Sequence, residues 1–112
     1  MNKVNRLKDG NKIQRVLKNN KKLFNNICNI YYLKVNDNQP FKIAIIVSKK
    51  ISKKAVVRNK IKRQIRAIVS SMNLNINNTH IVIVAKSLWL DTDYTNCKNI
   101  LFNLLQKIWR AK

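Results

Sequence analysis

The order of hydrophobic and polar positions divides the chain into helical and extended stretches. A short apolar stripe follows Asp9, which favours the N-terminal cap of a helix, and predicts a first helix over residues 10–19. Residues 23–35 favour extended structure, and Asn25 and Asn26 divide them into a short strand and a longer one. The chain is therefore expected to begin with one helix and two strands.

A turn and a third apolar stretch follow the longer strand. Residues 36–40, with the sequence NDNQP, are the clearest turn in the chain, and residues 41–48, with the sequence FKIAIIVS, are nearly all apolar. Such a run is typical of a central strand that is covered on both faces. We expect the strands on either side of this turn to pair as an antiparallel hairpin.

Residues 55–72 have the clearest helical period in the chain. Apolar residues recur on one side of this predicted helix, at Val57, Ile61, Ile65, Ile68 and Met72. The opposite side carries a set of basic and amide residues, namely Arg58, Asn59, Lys62, Arg63 and Arg66. One face of the helix is therefore suited to burial, and the other to contact with a negatively charged partner.

Two further elements complete the chain. Residues 80–86, with the sequence HIVIVAK, predict another buried strand, and residues 91–93 predict the cap of a last helix. The order α-β-β-β-α-β-α predicts an α+β fold, a two-layer sandwich with helices packed on a small mixed sheet. We expect residues 1–112 to form a single domain, with residues 1–8 as a flexible basic arm.

The charge of the chain is extreme and is concentrated around the basic helix. The sequence has 24 Lys and Arg against 4 acidic residues, which gives a net charge of +20. A compact domain with this charge repels itself and is stabilised by a polyanion. Nine of the eighteen residues from Lys49 to Arg66 are basic and none is acidic. The basic residues extend into the loop before the helix, at Lys49, Lys50, Lys53 and Lys54.

A basic run is often only a solvated face, but this one has three distinguishing features. Its cationic positions share one side of the helix and have no acidic partners at i,i+4 spacing. Asn59 stands among them, and an asparagine can hydrogen-bond to a base edge or a sugar hydroxyl. We therefore interpret the partner of this face as RNA.

Few residues are arranged for protein-based catalysis or metal binding. His80 is the only histidine, and a single glycine cannot build a glycine-rich phosphate loop. Cys28 and Cys97 have no neighbouring Cys or His and are expected to be buried thiols in a reducing cytosol. The four carboxylates all lie in predicted caps or turns, at Asp9, Asp37, Asp91 and Asp93. We predict no catalytic residue and no metal ligand in the protein.

The basic stretch resembles the signature of a known family. Residues 47–50, VSKK, and residues 55–66, AVVRNKIKRQIR, are similar to the pattern of the bacterial ribonuclease P protein subunit. That pattern is V-S-K-K, a short loop, and then A-V-x-R-N-x-x-K-R-x-x-R. Further similarities along the chain are Arg6-Leu7, residues 81–85, Tyr94 and Leu104-Leu105.

This resemblance implies a role in tRNA maturation. The family subunit joins a catalytic RNA that removes the 5′ leader of precursor tRNA in the cytoplasm, and the RNA with its Mg²⁺ ions carries the chemistry. The basic helix is then expected to dock on the catalytic RNA near its active site. A cleft between the first helix and the sheet is expected to hold the single-stranded leader, at Ile13, Leu17 and Tyr31. The resemblance also implies a left-handed crossover around the basic helix, although general chain rules favour a right-handed one.

The predicted cleft departs from the family pattern on its helical side. Ile13 and Leu17 stand where the family often has Phe, so leader binding is expected to depend more on Tyr31 and on charge. Tyr31 and Tyr32 occupy opposite faces of the same strand. The pattern alone leaves open whether both pack in the core or one contacts an unpaired base. The resemblance favours Tyr31 as the outward residue.

Other classes of protein remain as alternatives. A structural or ribosomal RNA-binding protein without a processing role would use the same basic helix. A DNA-binding helix-turn-helix protein is disfavoured, because no second helix is predicted just before Ala55. The chain has no apolar run long enough to cross a bilayer, and its first twelve residues lack the hydrophobic segment of a secretory signal. We therefore expect the catalytic RNA and precursor tRNA as partners, with neither DNA nor a membrane.

Overall fold

A computed structural model describes residues 5–19, 21–72 and 75–110. The elements are α1 (Gly10–Lys18), β1 (Lys22–Phe24), β2 (Cys28–Lys34), β3 (Lys42–Ile46), α2 (Ala55–Ser71), β4 (Thr79–Ala85), a 3₁₀ turn (Ser87–Trp89) and α3 (Tyr94–Arg110). This order and the α+β class agree with the sequence-based prediction.

The helix and strand boundaries follow from local polar residues. The Asp9 carboxylate accepts hydrogen bonds from the N–H groups of Asn11 and Lys12, at 2.9 and 3.4 Å, and so begins α1 as predicted. The Asn25 side chain accepts from the Ile27 N–H at 3.0 Å, which stabilises the turn between β1 and β2. The N–H of Asn96 donates to the Asp93 carboxylate at 3.3 Å at the start of α3.

The four strands form one mixed sheet in the order β1-β2-β4-β3. The hairpin expected between β2 and β3 is wrong, because β4 lies between them, antiparallel to β2 and parallel to β3. The segment before β4 satisfies the backbone of the turn instead. Val35 N–H donates to the Asn78 carbonyl and Phe41 N–H to the Ile76 carbonyl, each at 2.8 Å. The most completely buried strand, β4, is thus one of the two interior strands of the sheet.

Strand β3 lies at an edge of the sheet, so its predicted central position is also wrong. The segment before α1 covers part of this edge. The backbone of Arg6 forms an isolated parallel β-bridge with Ile43, and the Leu7 N–H donates to the Ile43 carbonyl at 2.8 Å. Leu7 is only 5% exposed. The apolar run of β3 is thus explained by cover from the N-terminal segment, and the predicted flexible arm differs from the structure at residues 5–7. Residues 1–4 lie outside the described part.

Helices pack on both faces of the sheet. Val16 of α1 is buried with Ala44 and Val82 on one face. Helices α2 and α3 pack on the opposite face, where alternate strand residues such as Ile81 and Ile83 point. The sheet therefore lies between α1 and the pair α2 and α3, a more complete enclosure than the two-layer arrangement that we expected. The parallel connection from β3 through α2 to β4 is present, and its left-handed sense stays a prediction.

Candidate nucleic-acid interface

The apolar side of α2 faces the core as its period predicts. Ile61, Ile65, Ile68 and Val69 are buried, and Val57 and Met72 pack against the same cluster. This packing fixes the rotation of the helix about its axis. The opposite side is therefore turned to solvent, with Asn59 and Arg63 exposed and Arg58, Lys62 and Arg66 half-buried.

The loop before α2 is attached to the helix through Arg58. Its guanidinium Nη1 donates to the Ser52 carbonyl at 2.9 Å, and the Ser52 hydroxyl accepts from the Lys54 N–H at 3.2 Å. These bonds hold the loop against the first turn of the helix, where no side chain caps α2. The four lysines of the loop are exposed. We call the following set the basic surface: Lys49, Lys50, Lys53, Lys54, Arg58, Asn59, Lys62, Arg63 and Arg66.

The positive charge of this surface is not neutralised within the described part of the chain. There, the one contact within 4 Å between a basic side chain and a carboxylate joins His80 Nε2 to Asp37 Oδ2 at 3.6 Å, away from α2. Partial burial, and then the nearby Arg6, lower the pKa of Arg66. An arginine stays charged under such a shift, so Arg6 and Arg66 repel each other. An anion between or beside them would relieve this repulsion.

The three residues of the predicted cleft come together beside the sheet. Ile13 and Leu17 of α1 and Tyr31 of β2 are all half-buried, and all pack around the cluster formed by Leu7, Val16, Ala44 and Val82. Tyr32 packs against the core on the other face of the sheet. Tyr31 therefore points to the α1 side, as the strand alternation predicts. We call Ile13, Leu17 and Tyr31 the leader cleft, after the role that the family resemblance predicts for them.

The basic surface and the leader cleft meet at the edge of β3. A depression there is lined by Arg6 and Ile13 from the N-terminal part of the chain, by residues 43–46, and by Arg66 of α2. Arg6 is a cationic residue of this site that the sequence-based assignment did not include. Its position next to Leu7 in the family pattern is the only sequence signal for it, because its proximity to Arg66 depends on the fold.

The two cysteines and the histidine lie in the packed interior of the protein and not in the basic surface. Burial first, and then the Cys97 thiol, raise the pKa of Cys28 to about 12, so this thiol is protonated and inert. Both cysteines are free and buried, as predicted. Burial lowers the pKa of His80, with Asp37 opposing the shift. In the part of the chain that the structure describes, no three His, Cys, Asp or Glu side chains converge to hold a metal ion.

A family model described as Ribonuclease P matches residues 1–109. The chain belongs to the ribonuclease P protein family. The ribonuclease P protein component of Mycoplasma mycoides subsp. mycoides is 43% identical over 94 residues, which cover 80% of this chain and 84% of the relative. That of Streptococcus agalactiae is 32% identical over 106 residues and covers 95% of each chain.

Solved structures support the same family assignment. The ribonuclease P protein of Staphylococcus aureus has a TM-score of 0.84 and 29% identity, covering 93% of this chain and 94% of that one. The Thermotoga maritima protein shares the fold, with a TM-score of 0.75 at 24% identity over 91% of this chain and 96% of that one. This member of the ribonuclease P family is a protein component of an endoribonuclease of tRNA processing, and nothing in these comparisons favours a structural or ribosomal RNA-binding protein instead.

Within the described residues, no helix of this ribonuclease P protein is long and apolar enough to cross a membrane.

Proposed function

We propose that the basic surface docks on the catalytic RNA of ribonuclease P and that the leader cleft holds the 5′ leader of precursor tRNA. One observation carries this proposal: the two sites are contiguous at the β3 edge, where Ile13 and Arg66 line one depression. A single chain can therefore bridge two RNA partners, with the cleft beside the helix that contacts the catalytic RNA.

Three properties of the basic surface support its assignment to a folded RNA. It is cationic along one helix face and the adjoining loop, it lacks carboxylate partners among the described residues, and Arg58 fixes the loop to the helix. Arginine presents fork-shaped donors that match phosphate oxygens, and lysine adds point charge. The helix and its loop are thus preorganised, which reduces the conformational entropy lost on binding.

The leader cleft is suited to an unpaired strand rather than to a duplex. Tyr31 contributes the one aromatic ring of this cluster, and Ile13 and Leu17 contribute aliphatic side chains beside it. An unpaired base can stack on an aromatic side chain, and this contact is tolerant of sequence. The cleft therefore favours precursor tRNA over mature tRNA, since the leader is absent from the mature molecule.

The proposal assigns the chemistry to the RNA, which would hold Mg²⁺. Magnesium prefers oxygen ligands in octahedral geometry. Asp9 and Asp93 are hydrogen-bonded in helix caps, and Asp37 accepts from the Gln39 N–H and lies beside His80. In the described part of the chain, no three His, Cys, Asp or Glu side chains converge. The protein residues described do not fit a magnesium site. We place the complex in the cytoplasm, where two free buried thiols are stable.

Replacing Tyr31 with alanine tests the cleft. We expect Tyr31→Ala to weaken binding of precursor tRNA to the holoenzyme by ~1–3 kcal/mol, because one stacked base is lost, and to leave mature tRNA binding unchanged. Equilibrium binding of both RNAs to the reconstituted holoenzyme measures this. Tyr31→Phe keeps the ring and should behave like the unmodified chain. Tyr94→Ala removes an exposed tyrosine at the start of α3 and is the matched control. Equal losses for precursor and mature tRNA would refute the cleft assignment.

A further inference from the structure

A second aromatic side chain stands next to the leader cleft. Phe24 ends β1, an edge strand, and 61% of its surface is exposed. Its ring centroid lies 6.2 Å from that of Tyr31, and the ring planes are 71° apart, an edge-to-face contact. This geometry fixes the Phe24 ring beside Tyr31 while most of its surface stays open to solvent.

The strand register places a cation and an amide on the same face as the two rings. Lys22 is directly opposite Tyr31, and Phe24 is opposite Asn29. The four side chains therefore lie side by side on one face of the β1–β2 pair. The Lys22 Nζ lies 5.4 Å from the Phe24 ring centroid, in cation–π range. The Asn29 Oδ1 is buried and has no hydrogen-bond partner among the described residues. An aromatic surface, a cation and an unused polar group thus share one small area.

These features match the requirements of an unpaired nucleotide. A base offers a π-face to stack on an aromatic ring, polar edges for an amide, and a phosphate for a lysine. Helix α1 contributes only aliphatic side chains to the cleft. The rings that can stack on bases therefore lie on β1 and β2.

We propose that Phe24 and Tyr31 form a two-ring platform for neighbouring unpaired nucleotides of the leader, with Lys22 moving from the Phe24 ring to a phosphate. This inference rests on the proposed function of the leader cleft and extends it to the edge strand β1. It makes Phe24 a determinant of leader affinity that acts through stacking.

Variants at position 24 test the platform in the reconstituted holoenzyme. We expect Phe24→Ala to weaken binding of leader-bearing precursor tRNA roughly fivefold to tenfold, the lower end of what one stacked base contributes, and to leave mature tRNA binding unchanged. Phe24→Leu keeps the apolar character without a π-face and should lose nearly as much. Phe24→Trp keeps an aromatic ring and should bind precursor as tightly as the unmodified chain. The fluorescence of the added indole should be quenched by precursor but not by mature tRNA. Leu88→Ala, at an exposed apolar position after β4, is the control for loss of surface apolar area.

The outcomes separate this inference from the function of the cleft. If Tyr31→Ala weakens precursor binding while Phe24→Ala matches Leu88→Ala, the platform is refuted and the cleft stands. If Phe24→Leu binds as tightly as the unmodified chain, Phe24 gives only apolar cover and stacking is refuted. If neither Tyr31→Ala nor Phe24→Ala discriminates between precursor and mature tRNA, the proposed cleft fails together with the platform.

Discussion

Replacing Arg63 with alanine is expected to weaken binding of the chain to the catalytic RNA by ~1–3 kcal/mol. Arg63 is exposed on the outward face of α2, so the loss comes from phosphate or base contacts and not from packing. Arg58→Ala should cost at least as much, because Arg58 also fixes the basic loop through the Ser52 carbonyl. Titrating the labelled chain with the catalytic RNA at several salt concentrations measures both variants. Each should reduce the slope of log K against log salt by about one.

Lys98→Ala provides the control for charge. It removes one positive charge from an exposed position of α3, outside the basic surface. If RNA binding depends only on the net charge of +20 and not on where the charges lie, Lys98→Ala and Arg63→Ala will weaken binding equally. That equality would refute the assignment of the basic surface. Arg58→Lys further separates charge from geometry at this position, since it keeps the positive charge but loses the guanidinium fork that donates to the Ser52 carbonyl.

Truncating Ile65 is expected to have the largest effect on stability. Ile65 lies on the buried face of α2 and is 0% exposed. Ile65→Ala should therefore lower the free energy of unfolding by ~2–5 kcal/mol, through lost burial and the cavity left behind. Chemical denaturation followed by circular dichroism measures this. Ile65→Val should cost only ~0.5–1.5 kcal/mol. A catalytic RNA that binds the folded chain should recover part of the loss by mass action.

Val56→Ala is the matched control on the same helix. Val56 is 77% exposed, so its truncation removes surface apolar area without opening a cavity. We expect a change within about 0.5 kcal/mol. If Ile65→Ala and Val56→Ala lower the free energy of unfolding equally, the orientation of α2 described here is wrong.

The sequence predicts the elements well because each carries its own period or cap. The apolar stripe of α2 and the Asp9 cap of α1 are local signals, and both are present in the structure. Strand alternation placed Tyr31 and Tyr32 on opposite faces for the same reason. Strand order is not local: a turn between β2 and β3 looked like a hairpin, but β4 enters between them and takes up the free backbone groups of the turn.

The candidate site was predictable in part. The residues of α2 share one face because of helical geometry, and this needs no knowledge of the fold. The approach of Arg6 to Arg66 and of Phe24 to Tyr31 joins segments that are distant in sequence or on separate strands. The sequence does not single out Arg6 or Phe24. Basic residues are abundant throughout this chain, and an isolated Phe in a short strand is normally interpreted as a core residue.

Cleavage of a precursor tRNA by the cognate catalytic RNA at low Mg²⁺, with and without this chain, tests the account most directly. The basic surface and the leader cleft together should raise precursor affinity, so the chain should increase cleavage at the 5′ end of the mature tRNA under conditions in which the RNA alone is nearly inactive. The Arg58→Ala, Arg63→Ala double variant should need a higher protein concentration to give the same rate. An unchanged cleavage rate over the full range of protein and Mg²⁺ concentrations would contradict the account.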